Sequence, residues 1–198
     1  MDLRAQIRPA IVSLLLFTLL IGVFYPLLIT GIAQLLLSQQ ANGSLILHNG
    51  QVVGSELIGQ SFTNPLSFWG RPSSTAGYSY NALDLNALTG SSGSNLGPLS
   101  QTLVDTVRER VEILHTLDPD NSLPIPADLV TSSASGLDPD ISVAAAYYQV
   151  PRVARARDMS ENALRNLVDQ YTTSRQLGFL GDPHVNVMRL NLALDEIK

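Results

Sequence analysis

Residues 10–37 read AIVSLLLFTLLIGVFYPLLITGIAQLLL, and this apolar stretch decides the fold. Between Ala10 and Ile32, 15 of 23 positions are Leu, Ile, Val or Phe, and each such residue favours membrane insertion by about 0.3 to 0.6 kcal/mol at the bilayer centre. A helix over residues 10–37 is about 42 Å long at roughly 1.5 Å per residue, which exceeds the roughly 30 Å of hydrocarbon in a bilayer. We therefore predict one transmembrane helix over these residues.

The charges around this helix predict its orientation. Arg4 and Arg8 precede it with only one acidic residue to oppose them, and no Asp, Glu, Lys or Arg follows it until Glu56. Positively charged flanks stay in the cytoplasm. We therefore predict a cytoplasmic N-terminus over residues 1–9 and an extracytoplasmic domain over residues 38–198.

A cleavable signal peptide is the alternative interpretation of the same stretch. The small residues Gly31 and Ala33 resemble a cleavage site, and Pro26 interrupts the apolar run before them. Cleavage there would release an exported ligand-binding or hydrolytic domain. The apolar core of a signal peptide is usually about 7–15 residues long, so the length of this stretch favours a retained helix.

Several residues inside the predicted helix favour contact with a partner helix. Pro26 lacks a backbone N–H, a loss that a kink or a neighbouring helix must compensate in lipid. Gly22, Thr30 and Gly31 are small enough to let another helix approach closely. The other interpretation is a single membrane anchor that has no partner helix and only a local kink at Pro26. The candidates for helix packing are Gly22, Tyr25, Pro26, Thr30, Gly31 and Gln34.

The rest of the chain has the composition of one acidic, water-exposed domain. From Glu56 onward there are 10 basic and 16 acidic residues, a formal net charge of -6, which repels the phosphates of nucleic acids and argues against them as partners. This part is long enough to bury a core without metals or disulfides, and the chain contains no cysteine.

Local patterns predict an alternation of strands and helices in this domain, and hence an α+β fold. Asn49-Gly50 is a strong signal for a two-residue hairpin turn. We predict a β-hairpin over residues 45–54, followed by a helix from Pro98 to Thr116 and a strand over Leu129–Thr131. A second helix is predicted to begin at Asp138-Pro139 and to kink or restart at Pro151. A helix capped by Ser160 and a strand over Val185–Leu192 complete the predicted domain.

Sequence motifs for catalysis are missing. A Walker-type phosphate loop needs an internal lysine, and so does the Asp-Lys-Thr-Gly phosphorylation loop of P-type ATPases, whereas the only lysine here is Lys198. His48, His115 and His184 are far apart in sequence, with no second ligand at metal spacing. We therefore predict no catalytic, cofactor-binding or metal-binding residues.

Nine short motifs run in order from the helix to the C-terminus: YPLLITGIAQ (25–34), GSELIGQ (54–60), FWGRPS (68–73), GSNLGP (93–98), DLVTSS (128–133), GLDP (136–139), AAA (144–146), QVPRVARAR (149–157), and VNV with LNLALD (185–187 and 190–195). Together they resemble the C subunit of the Kdp potassium-transporting P-type ATPase of bacteria, over almost the whole chain. The sequence departs from that family at Ala134, where glycine is more usual, and at Asp140, where histidine is common.

The resemblance implies a complex in the bacterial inner membrane. Its other chains are a channel-like subunit that carries K+, a P-type subunit that hydrolyses ATP, and a small fourth subunit. The resemblance also implies that this chain is a non-catalytic accessory subunit needed for assembly and stability. The family has also been proposed to raise the ATP affinity of the hydrolytic subunit through direct contact with ATP. An extracytoplasmic domain does not reach cytoplasmic nucleotide. We therefore expect a role at the outer mouth, in control of potassium uptake.

The same motifs supply candidate functional residues in the outer domain. They include aromatic and charged residues, glycines, amides and one proline. The candidates are Trp69, Gly70, Arg71, Pro72, Asn95, Gly136, Asp138, Gln149, Arg152, Asn186 and Asn191.

Overall fold

The computed structural model describes residues 3–83 and 90–197, and the chain divides into two units, Met1–Val53 and Gly54–Lys198. The first unit holds a long apolar helix in three parts: α1 (Leu3–Leu19), a π-helical turn (Leu20–Phe24) and α2 (Tyr25–Leu36). Among the described residues, the segment Ala5–Leu36 is the one helix long and apolar enough to cross a membrane. It begins earlier than the predicted Ala10, and Leu37 ends it with φ -136°.

The π-helical turn lies directly before Pro26. Here the Tyr25 N–H donates to the carbonyl of Leu20, five residues back. A proline ring clashes with the carbonyl four residues before it in a regular α-helix, and the wider π turn relieves that clash. The helix therefore absorbs the proline by a local change of hydrogen-bond register.

A short helix, α3 (Ser38–Ala41), leads into the hairpin of β1 (Leu45–His48) and β2 (Gln51–Ser55). Both turn residues have positive φ, 52° at Asn49 and 78° at Gly50, as a type I′ turn requires. The predicted hairpin is confirmed.

In the described part of the second unit, four α-helices pack around a small sheet. The helices are α4 (Gln101–Leu117), α5 (Val143–Arg157), α6 (Glu161–Gln170) and α7 (Val187–Glu196), and the strands are β3 (Asp140–Ser142), β4 (Thr172–Thr173) and β5 (His184–Asn186). The strand order is β3-β5-β4, and both pairings are antiparallel, with Ile141 and Thr172 opposite Val185. One apolar helix followed by this mixed unit confirms the predicted α+β class.

Helix α5 contributes heavily to the core of this unit. Its residues Ala145, Ala146, Val150 and Val153 are completely buried, in a cluster with side chains of α6, α7 and the sheet. The helix continues through Pro151 without a break, so of the two predicted alternatives, a kink or a restart, the restart is wrong. Packing of its buried face stabilises the helix enough to tolerate one missing backbone donor.

Two helix boundaries differ from the prediction. Helix α4 begins at Gln101 rather than Pro98, and Leu99 is 98% exposed. Asp138-Pro139 does not start α5, because residues 140–142 pair with β5 and Ser142 caps the helix, accepting from the Ala145 N–H at 3.0 Å. In both places a serine just before the helix takes the N-cap position.

Two predicted strands are wrong in whole or in part. Residues 129–131 do not form a strand, since Ala127–Leu129 is a 3-10 turn. Only the start of Val185–Leu192 is extended, and Asn186 then caps α7 by accepting from the Arg189 N–H at 3.1 Å. Buried positions in α7 recur at helical spacing, which a short alternating pattern conceals. The cap of α6 by Ser160 is confirmed by the bond from the Ala163 N–H at 3.2 Å.

Candidate functional site

Most of the candidate residues meet around one irregular segment, Asn64–Arg71, which we call the strap. It has no regular secondary structure, yet Phe68 is completely buried and Trp69 is 4% exposed. Buried backbone without a helix or sheet must find other hydrogen-bond partners. In the strap these partners are side chains of α5 and α7.

Two amide side chains pair with the backbone of the strap. The Trp69 N–H donates to Gln149 Oε1 at 2.8 Å, and Gln149 Nε2 donates back to the Trp69 carbonyl at 3.1 Å. Asn191 does the same for Phe68, accepting from its N–H at 2.8 Å and donating to its carbonyl at 2.9 Å. Each amide thus replaces the neighbouring strand of a sheet, because it offers one donor and one acceptor side by side.

Arg152 fastens the start of the strap. Its guanidinium, on α5, donates to the carbonyls of Pro65 and Ser67 and to Gln149 Oε1, the last at 2.7 Å. It also lies 5.0 Å from the centroid of the Trp69 ring. Burial, the largest cause, lowers the pKa of Arg152 to about 10, with Asp118 acting in the opposite direction. Arg152 therefore stays charged at neutral pH.

A second arginine, which the sequence did not single out, also lies over Trp69. Arg110 of α4 is 4.8 Å from the ring centroid and donates from Nε to the Leu129 carbonyl at 3.1 Å. Burial lowers the pKa of Arg110. Two guanidinium groups on one indole form a double cation–π contact. Arg110 lies in none of the sequence motifs, and only the fold brings it to the tryptophan.

Arg71 links the end of the strap to the loop before β3. Its two terminal nitrogens donate to Asp138 Oδ2 at 3.1 Å and to the Ser132 carbonyl at 3.2 Å. The backbone carbonyl of Arg71 accepts from the Tyr80 hydroxyl at 2.7 Å. Burial first and Asp138 second raise the pKa of Tyr80 to about 12. The sequence motifs gave Arg71 and Asp138 but not Tyr80.

The two glycines among the candidates each permit a close approach to a neighbouring segment. A Cβ on Gly70 would lie 2.7 Å from the Tyr80 hydroxyl. Gly136 has φ +67°, and a Cβ there would lie 2.5 Å from the carbonyl of Ser92. Because L side chains are strained at that φ, Gly136 is the more constrained position.

Asn186 joins the sheet to the segment that follows β2. Its Nδ2 donates to the Glu56 carbonyl at 3.0 Å and to Asp140 Oδ1 at 3.2 Å. Asp140 also lies 3.9 Å from His184 Nε2. Burial, the largest cause, raises the pKa of Asp140, and the nearby His184 partly opposes the shift.

Two outer candidates lie apart from these contacts. Pro72 is half-buried, next to Arg71 in the chain. Asn95 is exposed and has φ 52°, the left-handed conformation that asparagine tolerates better than most residues. The structure therefore places seven of the eleven candidates in the strap or in contact with it, namely Trp69, Gly70, Arg71, Asp138, Gln149, Arg152 and Asn191. Gly136 and Asn186 make their contacts outside the strap, and Pro72 and Asn95 also lie outside it.

The helix candidates lie open to their surroundings. A Cβ added to Gly31 would meet nothing within 4 Å, and one added to Gly22 would meet only Thr18 of the same helix at 3.9 Å. Tyr25 is 58% exposed. Gln34 is the exception, since its amide exchanges two hydrogen bonds with the side chain of Asn42, at 3.2 and 3.3 Å.

The polar groups of the strap region are mostly occupied by the chain itself. Gln149, Asn191 and Arg152 all direct their hydrogen bonds at backbone or at each other. In the part of the chain that the structure describes, no group of three or more His, Asp or Glu residues is placed to hold a metal ion. The fold and the site define a membrane-anchored α+β domain in which buried side chains hydrogen-bond to an irregular core segment, the strap.

The comparisons with known proteins identify the family. The family model described as "KdpC: K+-transporting ATPase, c chain" matches residues 7–196. The potassium-transporting ATPase KdpC subunit of Methylococcus capsulatus is 54% identical over 191 residues, which cover 96% of this chain and 97% of that protein. The corresponding subunit of Herpetosiphon aurantiacus is 53% identical over 196 residues, 99% of this chain and 98% of the relative. The subunit of Herminiimonas arsenicoxydans is 50% identical over 194 residues, 98% of this chain and 99% of the relative.

The chain belongs to the KdpC family, the C chains of K+-transporting ATPases. It is therefore a membrane protein and a subunit of a potassium-transport complex. The resemblance read from the nine sequence motifs is confirmed.

Proposed function

We propose that this chain is a non-catalytic accessory subunit of an ATP-driven potassium uptake pump, needed for assembly of the complex and active at the outer potassium entrance. The observation that carries the proposal is the open apolar helix. None of the side chains in its most apolar window is buried within the chain, and its two glycines meet little or nothing of the chain itself. Such a helix is built to be covered by lipid and by other helices.

The partners are the other chains of the pump. The helix packs against the channel-like potassium subunit and the P-type ATP-hydrolysing subunit, together with the small fourth subunit. Gly22 and Gly31 are the points of closest approach, because a glycine lets two backbones come near each other. The exported, cleaved domain is the alternative that family membership disfavours.

The outer domain lies on the non-cytoplasmic side of the bacterial inner membrane, with the N-terminus in the cytoplasm. The two arginines at positions 4 and 8, before the helix, support this orientation. A net charge of -6 from Glu56 onward raises the local concentration of cations near the potassium entrance.

ATP is used by the complex but not bound by this chain. The orientation places the outer domain away from cytoplasmic nucleotide. Two arginines of the strap region do not face an open site, since Arg152 and Arg110 are turned onto Trp69 and backbone carbonyls. No cofactor is assigned to this chain.

Orientation is tested by cysteine labelling, which is clean because the chain contains no cysteine. Leu99→Cys introduces a thiol at a position that is 98% exposed in the outer domain, and Gln6→Cys introduces one near the N-terminus. In intact spheroplasts, a membrane-impermeant maleimide should modify residue 99 and spare residue 6. Labelling of residue 99 only after lysis would refute the orientation. The mass of the labelled chain also shows whether the first 33 residues are retained.

The assembly role is tested in the intact complex. Deletion of the chain should abolish copurification of the other subunits or high-affinity potassium uptake. Gly31→Leu fills the open space beside the helix and should reduce copurification while Trp69 fluorescence remains native. Ala10→Leu, at the predicted start of the span, is the matched control. Unchanged uptake and copurification after deletion would refute the proposal.

A further inference from the structure

An exposed hairpin between β4 and β5 carries three large apolar side chains, and we call residues 176–180 the apolar tip. Leu177 is 83% exposed, Phe179 69% and Leu180 47%. Solvent-exposed apolar residues are ordinary when scattered. Three within four positions on a protruding turn form a patch of the kind that marks a contact surface.

The backbone of the apolar tip is closed by hydrogen bonds. Gln176 and Leu180 form an isolated antiparallel bridge, with N–H to carbonyl distances of 2.9 Å in both directions. The turn is closed further by the Gly178 N–H, which donates to the Arg175 carbonyl at 3.2 Å. At its base the hairpin continues into the pairing of β4 with β5. The apolar side chains are therefore presented by a preformed turn, which lowers the entropic cost of binding.

The backbone conformation of Leu177 indicates that a leucine at this position has a functional role. Leu177 has φ 53° and Gly178 has φ 82°, the left-handed region that Asn or Gly would occupy with less strain. A bulky leucine in this conformation is unfavourable for folding alone. A strained residue kept at an exposed position is a pointer to function.

The charges nearby favour a protein over a lipid surface as the occupant. Segments that lie on anionic lipid are rich in Lys and Arg. The cation nearest in sequence to the tip, Arg175, is paired with Asp182 at 2.8 Å, and the chain from Glu56 onward carries a net charge of -6. Because the chain belongs to a family of subunits of a K+-transporting ATPase, the other subunits of that ATPase are the protein surfaces available to the tip.

We propose that the apolar tip inserts Leu177 and Phe179 into an apolar pocket on the extracytoplasmic face of another subunit of the same ATPase. This inference rests on the proposed function, because it needs the outer domain to lie beside the other chains. Phe179 is the central anchor, since truncation of a buried aromatic side chain at an interface has the largest effect on binding. Leu177 packs beside it.

Photocrosslinking in the intact complex tests the contact. Benzoylphenylalanine is placed at position 179 or, as the matched control, at position 99, which is also apolar and highly exposed. Irradiation of native membranes should give a strong adduct between residue 179 and another pump subunit, identified by mass. Adducts with lipid alone, or a yield at residue 179 no higher than at residue 99, would overturn the proposal.

A variant of the tip gives a second, quantitative test. Leu177→Ser with Phe179→Ser should release this chain from the detergent-solubilised complex about tenfold faster, with Trp69 fluorescence unchanged. Leu99→Ser should release it at the wild-type rate. An unchanged release rate for the double variant would overturn the inference. If the chain copurifies with the other subunits but residue 179 gives no adduct, the inference fails and the proposed function stands.

Discussion

The side-chain amide of Gln149 is paired with the backbone of Trp69 at both ends, with N–H to Oε1 at 2.8 Å and Nε2 to carbonyl at 3.1 Å. This contact joins residues 80 positions apart in the chain. It lets an irregular segment lie in the core with its backbone hydrogen bonds made. The fold of the second unit therefore depends strongly on this buried contact.

Loss of the Gln149 amide should be strongly destabilising. Gln149→Leu leaves the buried N–H and carbonyl of Trp69 without their partner, which costs about 2–4 kcal/mol in the free energy of unfolding. Urea unfolding of the full chain in detergent, followed by Trp69 fluorescence, measures this change. Gln170→Leu, an exposed position on α6, is the control and should stay within about 0.5 kcal/mol of wild type.

The conformation of Gly136 should not tolerate a side chain. Gly136→Ala places a Cβ 2.5 Å from the Ser92 carbonyl at φ +67°, and we expect a loss of about 1–3 kcal/mol in the free energy of unfolding. Gly97→Ala is the matched control, because a Cβ there meets nothing within 4 Å. Equal stabilities of the two variants, measured by the same unfolding experiment, would contradict the geometry.

Ionisation of Tyr80 should weaken the domain at high pH. Its pKa is raised by burial to about 12, against an ordinary value of about 10. The folded state therefore holds the phenolic proton more tightly than the unfolded chain. This stabilisation is complete below pH 10 or so and is lost as the pH rises through about 12.

The test compares the pH dependence of unfolding in wild type and Tyr80→Phe. The variant loses the hydrogen bond to the Arg71 carbonyl, which costs about 1 kcal/mol near neutral pH. Between pH 10 and 12 or so, wild type should lose more stability than the variant. Tyr78→Phe, at a tyrosine that is 68% exposed, should follow wild type throughout. Parallel curves for wild type and Tyr80→Phe would rule the assignment out.

Asp140 should change the stability of the fold with pH in the opposite direction from an ordinary ion-paired carboxylate. Burial raises its pKa, so the protonated form is favoured in the folded state. Its stabilising effect is present below the ordinary pKa of about 4 and is lost as the pH rises through the raised value.

Asp140→Asn should therefore be more stable than wild type at neutral pH, by an amount that shrinks at acid pH. The asparagine keeps an oxygen that can accept from Asn186 Nδ2, as Asp140 Oδ1 does at 3.2 Å. Thermal unfolding at pH near 3 and near 7 measures the difference. Asp120→Asn, at an exposed carboxylate, is the control. A variant less stable than wild type at neutral pH would show that the contact with His184 is the larger effect.

The sequence predicted best what short-range chemistry decides. The apolar run over residues 10–37 predicts a membrane helix from its own length and composition, without reference to the rest of the chain. The Asn49-Gly50 turn and the Ser160 cap are likewise local, since each is satisfied by residues within a few positions. Motif order along the chain was sufficient to indicate the family.

Tertiary contacts decided what short segments leave open. Residues 140–142 became a strand rather than the first turn of α5 because β5 pairs with them, and Pro151 stayed inside α5 because packing around it outweighs one lost hydrogen bond. The motifs singled out Gln149, Arg152 and Asn191. They did not predict that all three side chains hydrogen-bond to the strap. Side chains that satisfy backbone groups up to 123 positions away leave no local pattern in sequence, so only the folded chain brings them together.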